Sequence, residues 1–210
     1  MFNATSFNTV LMSGVLIAGA ASGAAGTASA LVGGGAAASE NVCRGELATI
    51  VGTPGEDVLR GTPGADVIVG LGRADRIQGA GGDDVVCGNG GDDALHGGGG
   101  DDWLIGGRDS PFEDGEFDSI PGADRLFGGS GDDRLEGGDA RGLDRLIYGT
   151  ARHGVSVDLR LQSASGQGSD TVIGIEWVTG STRADTIRGG PDREESLFLD
   201  GLAGSDRLFG

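Results

Sequence analysis

Large aliphatic residues recur over much of this chain at a fixed interval. From Gly52 to Ile105 they stand nine positions apart: Leu59, Ile68, Ile77, Val86, Leu95 and Leu104. The residues divide without a gap into GTPGEDVLR, GTPGADVIV, GLGRADRIQ, GAGGDDVVC, GNGGDDALH and GGGGDDWLI. Each unit begins with Gly, carries Asp at its sixth place and an aliphatic at its eighth. The fourth place is Gly in all but one unit, where Arg73 stands. Glycine is unfavourable in helices and strands and favoured in turns, so the first six residues predict a turn. The last three, such as VLR or VIV, predict a minimal strand whose middle side chain points inward. Two units make one rung, and rungs stack at ~4.8 Å, the spacing of neighbouring strands. The pattern predicts an all-β chain folded as a parallel β-roll, a β-solenoid of two short parallel sheets. Leu59, Ile77 and Leu95 should stack on one sheet, and Ile68, Val86 and Leu104 on the other.

Beyond Ile105 the register breaks and returns. PGADRLF, GGSGDDRLE and GLDRLI carry Asp124, Asp133 and Asp144; GSTRADTIR and GLAGSDRLF carry Asp185 and Asp206; Asp170, in GSDTVI, fits less securely. The roll is therefore expected over 43–210, with 43–51 a degenerate cap, 52–105 regular and 106–210 interrupted. The cap is in phase, with Ile50 at the eighth place, but has Ala48 at the sixth. Two segments interrupt the period. Residues 108–118, RDSPFEDGEFD, read as a solvated loop, or more sharply as a contact loop with an extra cation. From Tyr148 to Thr179 the period is lost; Val155–Leu159 alternates as a strand should, and Trp177 reads as a plug over the core or, if exposed, as a carbohydrate or partner contact.

Charge adds the chemistry. The 210 residues include 45 Gly, 32 acids and 15 bases, all Arg, for a net charge of −17. Such a polyanion repels phosphate, which argues against nucleic acid as a partner. Stacking aligns Asp57, Asp75 and Asp93 in one column and Asp66, Asp84 and Asp102 in another. Two carboxylates ~5 Å apart repel by roughly 3 kcal/mol at an effective dielectric of 20, so a column should not stack without cations. The ligands on offer are carboxylate and carbonyl oxygens, which favour a hard divalent ion, and calcium over magnesium.

GGGGDDWLI and GGSGDDRLE match GGxGxDxUx, and on these units the chain resembles the RTX (repeats-in-toxin, haemolysin-type) calcium-binding proteins. The resemblance implies a calcium-filled β-roll in which turn carbonyls and the sixth-place Asp bind several ions between successive turns. By that resemblance Asp57, Asp66, Asp75, Asp84, Asp93, Asp102, Asp124, Asp133, Asp144, Asp185 and Asp206 are the expected metal ligands. Arg73 departs from the pattern and puts its own turn in question.

Residues 1–30 resemble a secretory signal peptide ending at Ala28-Ser29-Ala30, although its first ten residues carry no base. Residues 31–42 read as an Ala/Gly linker. The segment lacks the ~20 strongly apolar residues of a membrane span. A secreted, extracellular location is the expectation, and with it a disulfide between Cys43 and Cys87. Strict stacking would place these two rungs apart, so the bridge requires residues 43–47 to leave the lattice. No HExxH, GxSxG, Walker A or CxxC motif occurs, and His96 and His153 lack ligand or triad spacing. The leading reading is a secreted, non-enzymatic protein that folds on binding extracellular calcium. Two others stand beside it. One is an accessory module of a secreted hydrolytic or polysaccharide-acting enzyme, which would need a basic groove although the Arg residues look scattered. The other is an interaction domain for a cell-surface or matrix component, with purely structural calcium.

Overall fold

The computed structural model describes residues 41–107, 123–138, 142–190 and 197–210. The chain passes alternately between two sheets, as the nine-residue period requires. The shorter sheet has seven strands: Val58–Arg60, Arg76–Gln78, Ala94–Gly99, Arg125–Ser130, Arg145–Ile147, Trp177–Thr179 and Phe198–Asp200, each parallel to the next. The longer sheet has ten. Its first part runs Ile50–Val51, Val67–Gly72, Val85–Gly90, Trp103–Gly107, Arg134–Gly138, again parallel. Eighth-place aliphatics meet in register: Leu59, Ile77, Leu95, Leu126, Leu146 and Val178 on one sheet, Ile68, Val86, Leu104, Leu135 and Val172 on the other. All are buried in one core. One aliphatic side chain per nine-residue unit offsets only part of the entropy lost in ordering that unit, so the core by itself is a thin source of stability.

The interrupted half departs from the lattice in a definite way. Ser156–Asp158, Ser163–Ser165 and Ser169–Ile173 form an antiparallel meander inside the longer sheet. Its third strand continues the roll beside Arg134–Gly138, and its first pairs in parallel with Thr186–Arg188, which in turn pairs with Arg207–Phe209. The longer sheet thus gains two strands that the shorter sheet lacks. Tyr148, Ala151, Val155 and Ala164 are buried in the same core. The alternation read over Val155–Leu159 places Val155 and Val157 inward, as found.

Trp177 is not a plug over the core. Strand alternation sends the neighbouring Val178 inward and leaves Trp177, at the seventh place, half-buried on the outer face. There it lies under the Arg145 guanidinium and against Phe198.

The cap divides in two. Ile50–Val51 joins the longer sheet, whereas Val42–Cys43 and Glu46–Leu47 form an antiparallel hairpin turning through Arg44 and Gly45 at positive φ. Cys43 is bonded to Cys87, with a Cα separation of 5.9 Å. The hairpin leaves the lattice and lies across the outside of the longer sheet, over Val67, Val69, Val85 and Ile105. Arg44 stacks on Trp103 at 3.2 Å from the ring centre. Among the described residues no helix is long and apolar enough to cross a membrane. The segment assigned to a signal peptide and most of the linker lie outside the described residues, as does the acidic insert.

Candidate metal centre

The sixth-place carboxylates line up in two columns along the edges where turns enter strands. Asp57, Asp66, Asp75, Asp84, Asp93, Asp102, Asp124, Asp133, Asp144 and Asp185 are all buried; Asp206 is half-buried. Each column is stitched by one repeated hydrogen bond, in which the backbone N–H of one Asp donates to Oδ1 of the Asp two units on. The donor–acceptor distance is 2.8 Å for Asp57 to Asp75, Asp66 to Asp84, Asp75 to Asp93 and Asp93 to Asp124. It is 3.0 Å for Asp84 to Asp102, Asp102 to Asp133 and Asp124 to Asp144. The insertion at 108–122 is absorbed without loss of register, since Asp93 and Asp102 reach across it. Asp185 accepts from Val155, which takes a sixth place without a carboxylate, and Asp206 accepts from Asp185.

Two further carboxylates complete the columns: Asp170, which fitted the repeat less securely and was not among the expected ligands, and Glu176, which sequence reasoning passed over. Asp170 accepts from the N–H of Asp133, and Glu176 accepts from that of Asp144. The signal was present: each precedes a strand triplet with an aliphatic centre, TVI and WVT. The turn between them is cut short, at Gly174 and Ile175, so the nine-residue count hid it.

The second oxygen separates two kinds of turn. In Asp75, Asp84, Asp102 and Asp133, Oδ2 is buried and has no hydrogen-bond donor. In these turns the second and fourth residues have left-handed φ: Leu71 and Arg73, Ala80 and Gly82, Gly98 and Gly100, Gly129 and Gly131. Arg73 thus adopts the backbone of the glycine it replaces, and its turn keeps the common shape. The Oδ2 atoms lie over the first-place glycines, so a Cβ at Gly79, Gly97 or Gly128 would collide with its own unit's carboxylate.

In the turns of Asp57, Asp66 and Asp185, by contrast, hydrogen bonds reach both kinds of donor on the second residue. The Thr53 N–H and hydroxyl donate to Asp57 Oδ2 at 2.6 and 2.9 Å, and Thr62 does the same for Asp66. The Ser181 N–H donates to Asp185 Oδ2 at 2.6 Å and its hydroxyl to Oδ1 at 2.8 Å. Asp170 is closed differently: the buried Tyr148 hydroxyl donates to its Oδ2 at 2.6 Å.

The electrostatics follow. Burial, opposed by the backbone hydrogen bond and reinforced by neighbouring carboxylates, pushes Asp75, Asp102 and Asp133 up to about 7 from 3.8. Asp84 is raised by the same causes. Burial chiefly, then the charge of Asp170, raises the Tyr148 hydroxyl. Uncompensated carboxylate oxygens, buried and repelling one another, fit a bound cation. Among the described residues no three His, Cys, Asp or Glu side chains converge, so carboxylates alone build no cage. A six- to eight-oxygen shell must draw on turn carbonyls, which suits calcium.

No curated protein matches the chain. The family model of the RTX calcium-binding nonapeptide repeat, in four copies, matches residues 49–72, 60–95, 88–111, 121–141 and 170–193, just over half of the sequence. With the roll, the in-register carboxylate columns and this match in hand, the chain belongs to the RTX calcium-binding nonapeptide repeat family.

Proposed function

We propose that this is a secreted, non-enzymatic protein whose β-roll folds on binding extracellular calcium. The observation that carries the reading is the set of buried, donor-less Oδ2 atoms of Asp75, Asp84, Asp102 and Asp133 in a chain of net charge −17. Several calcium ions, held by these carboxylates and turn carbonyls, would supply the missing interactions, and binding free energy would act as folding free energy. Affinities of the order of 10⁻⁴–10⁻³ M suit an extracellular module. Calorimetric titration of the chelated full-length chain tests this. Saturating heat with calcium, and a much weaker response to magnesium, is expected; no binding, or equal responses, refutes it.

A second reading, in which calcium orders a module that engages an anionic polymer, is favoured by the outer face of the shorter sheet. Register gathers Arg76, Arg125 and Arg145 into one column beside Arg60, which the differing lengths of the insertions concealed in the sequence. His96 and Phe127 stack alongside at 4.0 Å between ring centres. Co-sedimentation with a polyuronate in calcium, lost in the Arg125→Ser/Arg145→Ser double variant, supports this second reading. Equal retention by a neutral polysaccharide rules it out.

A further inference from the structure

Not every turn in the columns asks for an ion. Where the second residue is Thr53, Thr62 or Ser181, it is absent from the left-handed region, and its N–H and hydroxyl both donate to the sixth-place carboxylate. A carboxylate so satisfied has already exchanged its water for donors of the protein. An incoming cation would have to displace two short hydrogen bonds at Asp57 and at Asp66. It would also have to turn each threonine's N–H away.

Where the second residue is Leu71, Ala80, Asn89, Gly98 or Gly129, the backbone flips to positive φ and the residue has no hydroxyl to offer the carboxylate. The N–H of Ala80, for instance, turns to the carbonyl of Gly97 in the next rung, and Asp84 Oδ2 is left bare. Two independent unfavourable features thus coincide. One is a buried oxygen without a donor; the other is left-handed backbone at Leu71, Arg73 and Ala80, residues with a Cβ for which that region is strained.

Resting on the calcium reading above, we propose that the second residue of each unit decides whether its turn takes an ion. Turns with Thr or Ser there are closed by their own hydroxyl and amide and remain metal-free. The left-handed turns, those of Asp75, Asp84, Asp102 and Asp133 among them, are the open ones that hold calcium. The Tyr148 hydroxyl closes the turn of Asp170 in the same sense. Calcium is then confined to the middle of the roll. The closed turns of Asp57 and Asp66 on one side and of Asp170 and Asp185 on the other bound the stack without needing ions. Asp57, Asp66 and Asp185, though they match the repeat, serve as internal hydrogen-bond acceptors.

The test compares ion stoichiometry in the full-length chain by equilibrium dialysis against calcium, with urea unfolding at saturating calcium as a second readout. Asp84→Asn should reduce the number of calcium ions bound. Asp66→Asn and Thr62→Val should leave that number unchanged and lower stability at saturating calcium instead, because each breaks a hydrogen bond that does not depend on metal. Thr62→Gly should open the turn and raise the stoichiometry. If Asp66→Asn removes as much calcium as Asp84→Asn, or if Thr62→Val does so, the partition is overturned while calcium binding stands. If the unaltered chain binds no calcium, the reading beneath it fails instead.

Discussion

Replacing Asp102 by Asn should change stability in opposite directions with and without calcium. The Asp102 side chain is buried, accepts from the N–H of Asp84 through Oδ1, and has no donor at Oδ2. Asn keeps an acceptor for that N–H and removes the charge. In chelator the wild-type carboxylate is a liability: burial and the carboxylates around it raise it from 3.8 to about 7. Above that pH the charged form opposes folding by at most about 4 kcal/mol, since one pKa unit is about 1.4 kcal/mol. Screening by solvent at the turn surface reduces this to roughly 2 kcal/mol. Asp102→Asn should therefore fold at a lower concentration of trimethylamine N-oxide than wild type at pH 8 in chelator. In calcium the order should reverse. One lost ion removes about 2.7 kcal/mol at a free concentration 100 times its dissociation constant. Osmolyte-driven folding in chelator and urea unfolding in saturating calcium, both at pH 8, read the two values. Glu56→Gln, on an exposed acid, removes the same charge and should do neither. The reasoning is refuted if Asp102→Asn is destabilised equally in both conditions, or if Glu56→Gln matches it.

Acidity should act in two opposed ways. The folded pKa of Asp75, Asp102 and Asp133 lies above the unfolded value, so in chelator the roll should fold at lower trimethylamine N-oxide as pH falls from 8 towards 4. Over the same range protons should compete with calcium and raise the midpoint of a calcium titration; a midpoint independent of pH contradicts this. Leu95→Ala, in the middle of the core, should cost 2–5 kcal/mol in calcium by urea unfolding, whereas Val58→Ala, on an exposed position, should be close to neutral. Cys43→Ser/Cys87→Ser should lower stability by up to about 4 kcal/mol on loop-closure grounds and make the hairpin over the longer sheet susceptible to protease, with calcium stoichiometry unchanged. Tyr148→Phe should cost about 1–3 kcal/mol, since it leaves Asp170 Oδ2 buried without its donor.

Much of the fold was legible because the period is enforced by stacking. Leu59 above Ile77 above Leu95, and the Asp pairs eighteen residues apart, follow from a nine-residue unit and the strand spacing alone. The same count misled where the unit changes length. Glu176 escaped notice because the turn before it is cut to Gly174 and Ile175, and the aligned Arg column because its members sit in units separated by insertions. The disulfide was legible as a conflict: its geometry demanded a segment outside the lattice, and the 42–47 hairpin is that segment. The meander was beyond reach. Its alternation marks strands, but nothing local says that they insert antiparallel or that Tyr148 is buried in the core beside them. The difference between open and closed turns was written in GTPG against GAGG. Its meaning lies in a backbone angle that only a folded turn displays.

The central claim, that calcium makes this roll fold, is tested most directly by circular dichroism of the full-length chain during a calcium titration from chelator. The account predicts a largely unstructured spectrum in chelator and a cooperative rise of β signal as calcium reaches the millimolar range, with magnesium at equal concentration doing much less. A fully formed β spectrum in chelator, unchanged by calcium, contradicts it.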